Sequence, residues 1–278
     1  MSGPVACVVG WPIAHSRSPA IHRHWLKTYG IAGDYVAKPV PPPEAAAFFA
    51  GFAQSGFVGG NVTVPHKEAA FAAATDHDEA AAALGAVNTL WLEDGELHGG
   101  NTDGYGFLAN LDENAPGWDW PGLAVVLGAG GAARAVIWSL VGRGFDPVIV
   151  VNRTVERAEA LAERFGPTVR AAGWDAVPGA LAEAQILVNT TSLGMTGQPP
   201  LDLDLTPLPD EAVVNDLVYV PLETGLLAAA RRRELTAVDG LGMLLHQAAP
   251  GFERWFGQRP EVTPELRAIV VADLEQHR

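Results

Sequence analysis

A glycine-rich segment in the middle of the chain restricts its possible folds more than any other feature. The apolar run Leu123–Leu127 is followed by Gly128-Ala129-Gly130-Gly131-Ala132-Ala133 and then by an amphipathic stretch. This order predicts a β-strand, a tight turn and an α-helix, with the G-x-G-x-x-A spacing of the dinucleotide fingerprint. A tight turn in any α/β protein would be a simpler explanation. The three parts in this order nevertheless favour a dinucleotide site, with the helix N-terminus facing the phosphates.

The residues after the next predicted strand, Pro147–Val151, indicate which dinucleotide would be bound. An NAD-binding chain usually places Asp or Glu about 20 residues beyond the glycines, to bond the ribose 2′-hydroxyl. Here a donor-rich group stands instead, made up of Asn152, Arg153, Thr154 and Arg157. Two guanidinium groups suit a 2′-phosphate, which favours NADP. Two alternatives remain: Thr154 is also an ordinary helix N-cap, and Glu156 could bond the hydroxyl of NAD.

The composition limits the class of protein and the number of domains. With 278 residues, 48% apolar and 18% charged, the chain suits two globular domains. A net charge of −14 argues against nucleic-acid binding. Cys7 is the single cysteine, which excludes an internal disulfide, and no His, Cys or acidic pattern typical of a metal site occurs. Without an apolar run of about 18 residues or a basic leader, we expect a cytoplasmic protein that does not enter a membrane.

Short apolar runs alternate with longer amphipathic stretches along the chain. This alternation predicts an α/β fold with mostly parallel sheets. The predicted strands are Val5–Val9, Gly60–Val64, Ala86–Leu92, Leu123–Leu127, Pro147–Val151, Gln185–Val188 and Ala212–Asn215. Turn-forming residues crowd positions 114–122, so a second sheet should begin near Leu123. A helix is expected from about Asp103, and two more over Gly240–Phe256 and Thr263–His277.

Polar clusters follow several predicted strands, where open α/β sheets place their ligands. After the first strand, Ser16 and Ser18 can direct hydroxyl and amide groups at a carboxylate, although helix capping alone would explain them. Lys67 lies at the end of Asn61-Val-Thr63-Val-Pro-His-Lys67, where a lysine can donate to a carbonyl or can simply be a surface charge. Asp103, in Asn-Thr-Asp-Gly, is either a site residue or a helix N-cap.

Together these motifs resemble those of the shikimate and quinate dehydrogenase family, over essentially the whole chain. The matching segments are S-R-S at 16–18, N-V-T-V-P-H-K at 61–67, G-A-V-N-T at 85–89, N-T-D-G at 101–104, G-A-G-G-A at 128–132, N-R-T-x-x-R at 152–157 and D-G-L-G-M-L-L-x-Q-A-A at 239–249. The resemblance implies an N-terminal α/β substrate domain over 1–102, a Rossmann-type doubly wound parallel sheet that binds NADP over 103–237, and C-terminal helices over 238–278 that return to the substrate domain.

The same resemblance implies roles for individual residues. Lys67 and Asp103 would be catalytic, acting as a coupled pair at the reacting oxygen. The substrate-binding residues would be Ser16, Ser18, Thr63, Asn88, Tyr219 and Gln247. The cofactor-binding residues would be Gly128, Ala129, Gly130, Gly131, Ala132, Asn152, Arg153, Thr154, Arg157, Thr191, Leu217, Gly240 and Met243.

The implied activity is the reversible NADP-dependent reduction of 3-dehydroshikimate to shikimate in aromatic amino acid biosynthesis. The expected partner is therefore a small-molecule substrate, and the chain should act as a monomer or homodimer. Two alternatives stay open. One is a quinate/shikimate or aminoshikimate dehydrogenase that prefers NAD. The other is a non-catalytic sensor that binds NADPH, against which the presence of both Lys67 and Asp103 speaks.

Overall fold

The computed structural model describes residues 3–276, in which twelve strands and eleven α-helices are defined. The strands are β1 (Val5–Gly10), β2 (Asp34–Pro39), β3 (Gly59–Val62), β4 (Asp76–His77), β5 (Thr89–Glu93), β6 (Glu96–Gly100), β7 (Leu123–Leu127), β8 (Val148–Val151), β9 (Val169–Ala172), β10 (Ala184–Asn189), β11 (Val213–Asp216) and β12 (Thr236–Val238). The helices are α1 (Ser18–Thr28), α2 (Ala45–Ala50), α3 (Lys67–Ala73), α4 (Glu79–Leu84), α5 (Asp103–Asn114), α6 (Gly131–Gly142), α7 (Val155–Phe165), α8 (Val177–Leu181), α9 (Gly225–Arg232), α10 (Leu241–Phe256) and α11 (Pro264–Gln276).

The chain divides into two units. The first unit runs to Thr102 and takes in the chain from Leu245 onward, and the second unit is Asp103–Leu244. Each unit contains one six-stranded sheet.

The sheet of the second unit is wholly parallel, in the order β12-β11-β10-β7-β8-β9. Counted from β7, this is the strand order 3-2-1-4-5-6 of the dinucleotide-binding fold, and the order reverses between β7 and β10. Ligands of such sheets bind where the order reverses, at the carboxyl ends of the strands. The predicted Rossmann-type doubly wound sheet is therefore confirmed.

Both faces of this sheet are covered, which explains why its strands are continuous apolar runs. Along β7, Ala124 and Val126 pack into a core with helices α5, α6 and α7. Their neighbours Val125 and Leu127 pack on the opposite face with α8 and α9. Because successive side chains of a strand point to opposite faces, a strand buried on both sides has no polar alternation.

The sheet of the first unit is mixed, in the order β2-β1-β3-β5-β6-β4. β1 is parallel to both of its neighbours, whereas β5 is antiparallel to β3 and to β6. On one face, Cys7 and Val9 of β1 pack with α2, α3 and α4. On the other face, Ala6 and Val8 pack with Tyr35 and Trp255. Because β1 and β3 are parallel neighbours, their carboxyl ends lie side by side.

The predicted strands and helices occur, with shifts of up to three residues at their ends. β7 has the predicted bounds, whereas β5 begins at Thr89 because Ala86–Asn88 form a loop. Helix α11 is described to Gln276, and the predicted last residue, His277, lies outside the described residues. In residues 3–276, no helix combines the length and apolar character needed to cross a membrane.

Candidate active site

The glycine turn lies at the carboxyl end of β7, where the strand order of the second unit reverses. Gly128 has a φ of 104°, a conformation that favours glycine, and its N–H donates to the Val151 carbonyl at 2.8 Å. A Cβ at Gly128 would lie 2.7 Å from Thr190 Oγ1, so the turn also requires glycine for space. The turn is therefore packed tightly against the loop that follows β10.

The other side of the turn is open. Gly130 and Gly131 are exposed, and a Cβ at either position would meet no atom of residues 3–276 within 4 Å. Helix α6 begins at Gly131, so its first backbone N–H groups face this open space. Free N–H groups at a helix N-terminus beside unobstructed glycines suit a pyrophosphate, so the residues fit an NADP molecule.

The predicted 2′-phosphate group follows β8, which is paired in parallel with β7. Asn152 donates from Nδ2 to the Thr154 carbonyl at 2.7 Å, which fixes the turn. Thr154 occupies the N-cap position of α7, but its side chain makes no capping bond. Arg153 and Arg157 are exposed. Their guanidinium groups are thus available to an anion next to the glycine turn.

The remaining predicted cofactor residues lie on loops after β10, β11 and β12. Thr191 donates from Oγ1 to Asn189 Oδ1 at 2.7 Å. Leu217 follows β11, and Gly240 packs on it so closely that a Cβ there would lie 2.1 Å from the Leu217 carbonyl oxygen. Met243, three residues further on, lies in the first turn of α10. These loops all stand at the carboxyl edge of the sheet, and so does Tyr219, two residues after Leu217.

In the first unit, the loop after β1 carries the two predicted carboxylate-binding serines. Helix α1 begins at Ser18, with Pro19 in its first turn. The Ser18 N–H donates to Ser16 Oγ at 3.4 Å, and the Ser16 N–H donates to the Ile13 carbonyl at 3.0 Å. No side chain in the described part of the chain caps this helix. Hydroxyl groups and helix N–H groups are thus gathered at one point, as an anion site needs.

Asn88 and Gln247 are brought together although 159 residues separate them. Asn88 Nδ2 donates to Gln247 Oε1 at 3.4 Å, and Thr102 Oγ1 donates to the Gln247 carbonyl at 2.8 Å. The other end of Asn88 accepts from the Thr102 N–H at 2.9 Å and from Thr89 Oγ1 at 2.8 Å. Both amide side chains are therefore fixed in position, with Asn88 almost completely buried.

Lys67 and Thr63 flank a short turn after β3. The Thr63 N–H donates to the Val9 carbonyl at 2.9 Å, which joins this turn to β1. Lys67 is half-buried, opens α3, and accepts at its carbonyl from the Val87 N–H at 2.9 Å. That bond fixes the start of α3 next to the Asn88 loop. Asp103, the other predicted catalytic residue, is buried and is the first residue of α5.

Asn61 is hydrogen-bonded to this group of residues, although the sequence motifs alone predict no individual role for it. Its Oδ1 accepts from the Tyr35 hydroxyl at 2.6 Å, and its Nδ2 donates to the Asn88 carbonyl at 3.2 Å. Burial holds the pKa of Tyr35 well above its ordinary value, so the phenol keeps the proton that it donates. The available signal was an asparagine inside an apolar strand, because a buried amide must find partners.

No cluster of three His, Cys, Asp or Glu side chains within residues 3–276 is arranged to hold a metal ion. A buried carboxylate, that of Asp216, lies at the carboxyl end of β11. Burial raises the pKa of Asp216 above its ordinary value, although bonds from Thr224, Val218 and Asn189 oppose this.

Models of one protein family match three parts of the chain. The shikimate dehydrogenase substrate binding domain matches residues 8–90. Shikimate / quinate 5-dehydrogenase matches residues 122–195, and the shikimate 5′-dehydrogenase C-terminal domain matches residues 240–266.

Individual relatives match over nearly the full length. The shikimate dehydrogenase (NADP(+)) of Azorhizobium caulinodans is 63% identical over 96% of this chain and 95% of its own. The crystal structure of the Thermus thermophilus shikimate 5-dehydrogenase with NADP(H) and shikimate is 38% identical, has a TM-score of 0.86, and covers 97% of this chain and 99% of its own. The quinate dehydrogenase of Corynebacterium glutamicum, in complex with NAD, is 30% identical with a TM-score of 0.89, over 97% and 99% of the two chains. This chain therefore belongs to the shikimate dehydrogenase family.

Proposed function

We propose that this chain reduces 3-dehydroshikimate reversibly to shikimate with NADPH, a reaction of aromatic amino acid biosynthesis. The match along 96% of the chain to a relative named as an NADP(+) shikimate dehydrogenase carries this proposal. The exposed guanidinium groups of Arg153 and Arg157 next to the glycine turn support NADP as the dinucleotide.

In this proposal the second unit binds the cofactor. NADPH supplies a hydride when it is bound. The α6 N-terminus and the turn Gly128–Ala132 hold the pyrophosphate, while Asn152, Arg153, Thr154 and Arg157 hold the 2′-phosphate. The nicotinamide is bordered by Thr191, Leu217, Gly240 and Met243. The open space at Gly130 and the exposure of both arginines support this assignment.

The first unit supplies most of the residues proposed to bind the substrate. Ser16 and Ser18 hold the carboxylate, because hydroxyl and N–H donors converge there. The ring hydroxyls and the carbonyl region are contacted by Thr63, Asn88, Tyr219 and Gln247. The hydrogen bond between Asn88 and Gln247 supports a shared role, since each amide fixes the orientation of the other. A site with donors and acceptors in fixed positions can distinguish substrates by the arrangement of their ring hydroxyls.

Lys67 and Asp103 move the proton. The ketone oxygen gains negative charge as its carbon is reduced, and the Lys67 ammonium donates a proton to it. Asp103 orients the lysine and accepts a hydrogen bond from a substrate hydroxyl. The two groups act as one pair at the reacting oxygen, so the removal of either should lower turnover.

A two-by-two rate comparison tests the function. Shikimate and quinate are each assayed with NADP and with NAD by the absorbance of the reduced nicotinamide. We expect the highest kcat/KM for shikimate with NADP. A higher value for quinate or for NAD would instead identify a quinate/shikimate dehydrogenase. Tight NADPH binding without turnover of either substrate would reject an enzymatic role and favour a sensor.

A further inference from the structure

The last residues of two neighbouring strands form a buried polar pair under the cofactor loops. Asn189 ends β10 and Asp216 ends β11, and the two are paired in the parallel register. Asn189 Nδ2 donates to Asp216 Oδ1 at 2.9 Å, and neither side chain has measurable exposure. Parallel strands that are covered on both faces are mostly apolar, and a buried carboxylate is costly unless it is hydrogen-bonded, so this pair needs a reason.

Asn189 shapes the loop that follows its own strand. Its Oδ1 accepts from both the N–H of Thr191, at 3.0 Å, and the hydroxyl of Thr191, at 2.7 Å. Its Nδ2 reaches the Leu193 carbonyl at 3.3 Å. The loop is thus wrapped around one side chain. The neighbouring Thr190 packs against Gly128, so this loop also forms one wall of the glycine turn.

Asp216 holds the loop after β11 by accepting hydrogen bonds from it. Its Oδ1 also accepts from the Val218 N–H at 3.0 Å, and its Oδ2 accepts from Thr224 Oγ1 at 2.8 Å. Thr224 is almost fully buried and caps α9 by accepting from the Leu227 N–H at 3.2 Å. A single carboxylate therefore joins the β10 loop, the β11 loop and the start of α9.

Within residues 3–276, the three groups that form hydrogen bonds with this carboxylate are all donors, which suits an ionised carboxylate. A fixed network of this kind favours one arrangement of the two loops over others. The loops carry Thr191, Leu217 and Tyr219, which the proposed function places against the nicotinamide and the substrate.

We propose that Asp216 is a positioning residue, which with Asn189 and Thr224 holds the β10 and β11 loops in the conformation that binds NADPH. This inference rests on the proposed assignment of those loops to the cofactor. Asp216 is fully buried, so it would act through the loops and not by direct contact with a ligand. It acts by reducing the conformational freedom that the loops would lose on binding.

Three variants at two positions test the inference. Asp216→Asn keeps the size of the side chain and removes the charge. Thr224→Val removes the hydroxyl, and Thr224→Ser retains it. We expect Asp216→Asn and Thr224→Val to raise the Kd of NADPH by about 10-fold, the effect of losing one hydrogen bond to a charged group. Thr224→Ser should restore most of the affinity. Amide hydrogen exchange of the unliganded protein should accelerate over residues 190–196 and 217–221.

A general loss of stability must be distinguished from loop positioning. Arg143 lies at the C-terminal end of α6, away from the carboxyl edge of the sheet, and forms ion pairs with Asp112 and Asp119, each at 2.6 Å. Arg143→Met serves as the matched control: it should lower the Tm and leave the NADPH Kd unchanged. An equal rise in Kd in this control, or no rise in Asp216→Asn, would overturn the inference.

The readouts also separate the inference from the proposed function. The Kd and hydrogen-exchange measurements need no turnover, so they report on Asp216 even if shikimate is not the substrate. If the unaltered protein fails to bind NADPH, the proposed function is wrong and the loops have no such role. If it binds NADPH and turns over shikimate while Asp216→Asn matches it in Kd and exchange, only the positioning role is wrong.

Discussion

Arg17 Nη1 lies 2.6 Å from Asp273 Oδ2, so an ion pair joins the loop between Ser16 and Ser18 to helix α11. The Arg17 side chain is only 11% exposed and that of Asp273 28%, so solvent screens the pair weakly. The loop that is proposed to hold the substrate carboxylate is therefore anchored by a residue 256 positions away.

Removal of this anchor should weaken substrate binding without slowing the chemistry. We expect Asp273→Asn to raise the KM of shikimate by roughly 5-fold, or about 1 kcal/mol, with kcat little changed. Steady-state kinetics measures both constants. Glu253→Gln is the control, because it breaks an exposed ion pair with Arg259 in the same C-terminal segment. A KM equal to that of the unaltered protein would show that the anchor does not serve the serine loop.

Lys67→Ala should lower kcat by roughly 10²–10⁴-fold, the usual effect of removing a placed acid–base group. Folding should change little, since α3 keeps its backbone bond from Val87. Circular dichroism and steady-state rates check the two statements. Lys27→Ala, an exposed lysine in the last turn of α1, is the control and should retain full turnover. A purified Lys67→Ala protein with normal turnover would remove Lys67 from the mechanism.

Loss of the two exposed arginines should change cofactor preference. We expect Arg153→Ala with Arg157→Ala to reduce kcat/KM for NADP by about 10- to 100-fold, the strength of one or two charge-assisted hydrogen bonds. The kcat/KM for NAD should not fall, because the adenosine ribose of NAD carries no 2′-phosphate. Arg164→Ala, at the far end of α7, is the control. Equal losses with both dinucleotides would argue against a 2′-phosphate site.

Substitution of two glycines of the same turn should have different effects: one should weaken NADPH binding and the other should lower the Tm. Gly130 has a φ of −97° and open space around it, so Gly130→Val should leave the Tm nearly unchanged and block the pyrophosphate. We expect a rise in NADPH Kd of more than about 10-fold, from the loss of contacts to N–H groups. Gly128→Ala should lower the Tm instead, because of its positive φ and its contact with Thr190. Unchanged NADPH affinity in Gly130→Val would place the cofactor elsewhere.

Acid should destabilise the first unit through His22. This ring stacks on Tyr35 at 3.9 Å, and neither of its nitrogens has a hydrogen-bonding partner among residues 3–276. Burial lowers the pKa of His22 to about 3 from 6.5, against a smaller opposing effect of Asn61. The unfolded chain therefore takes up a proton below pH 6.5 that the folded protein refuses until about pH 3.

The free energy of unfolding should consequently fall as the pH drops through this window, by about 1.4 kcal/mol per pH unit from this group. Urea unfolding of the unaltered protein and of His22→Leu, at about pH 7.5 and about pH 5.5, measures the slope. His22→Leu should lose about 1 kcal/mol less between the two values. Parallel losses in both proteins would mean that His22 is not the responsible group.

The strongest sequence signals were local ones. The strand Leu123–Leu127 was predicted with its observed bounds, because five apolar residues next to a glycine turn leave no other regular structure. The doubly wound sheet and the glycine turn are both predicted from that segment. Strand β6 was missed, since its sequence Glu-Leu-His-Gly-Gly lacks β-branched residues. The sequence signal for this strand is the dipeptide Asp94-Gly95, which is typical of a two-residue hairpin turn. The structure confirms such a turn, with φ angles of 51° and 82° at the two residues.

The class of fold can be predicted from the sequence because it depends on the alternation of apolar and amphipathic segments. The family can be predicted because its motifs are short and local. The tertiary structure decided which polar residues meet. Asn88 faces Gln247 across 159 positions, and Asn189 pairs with Asp216 through strand register. No local pattern encodes such pairs, since they arise only when separate segments pack into one sheet and its covering helices. The partner of a buried polar group is therefore set by the whole fold.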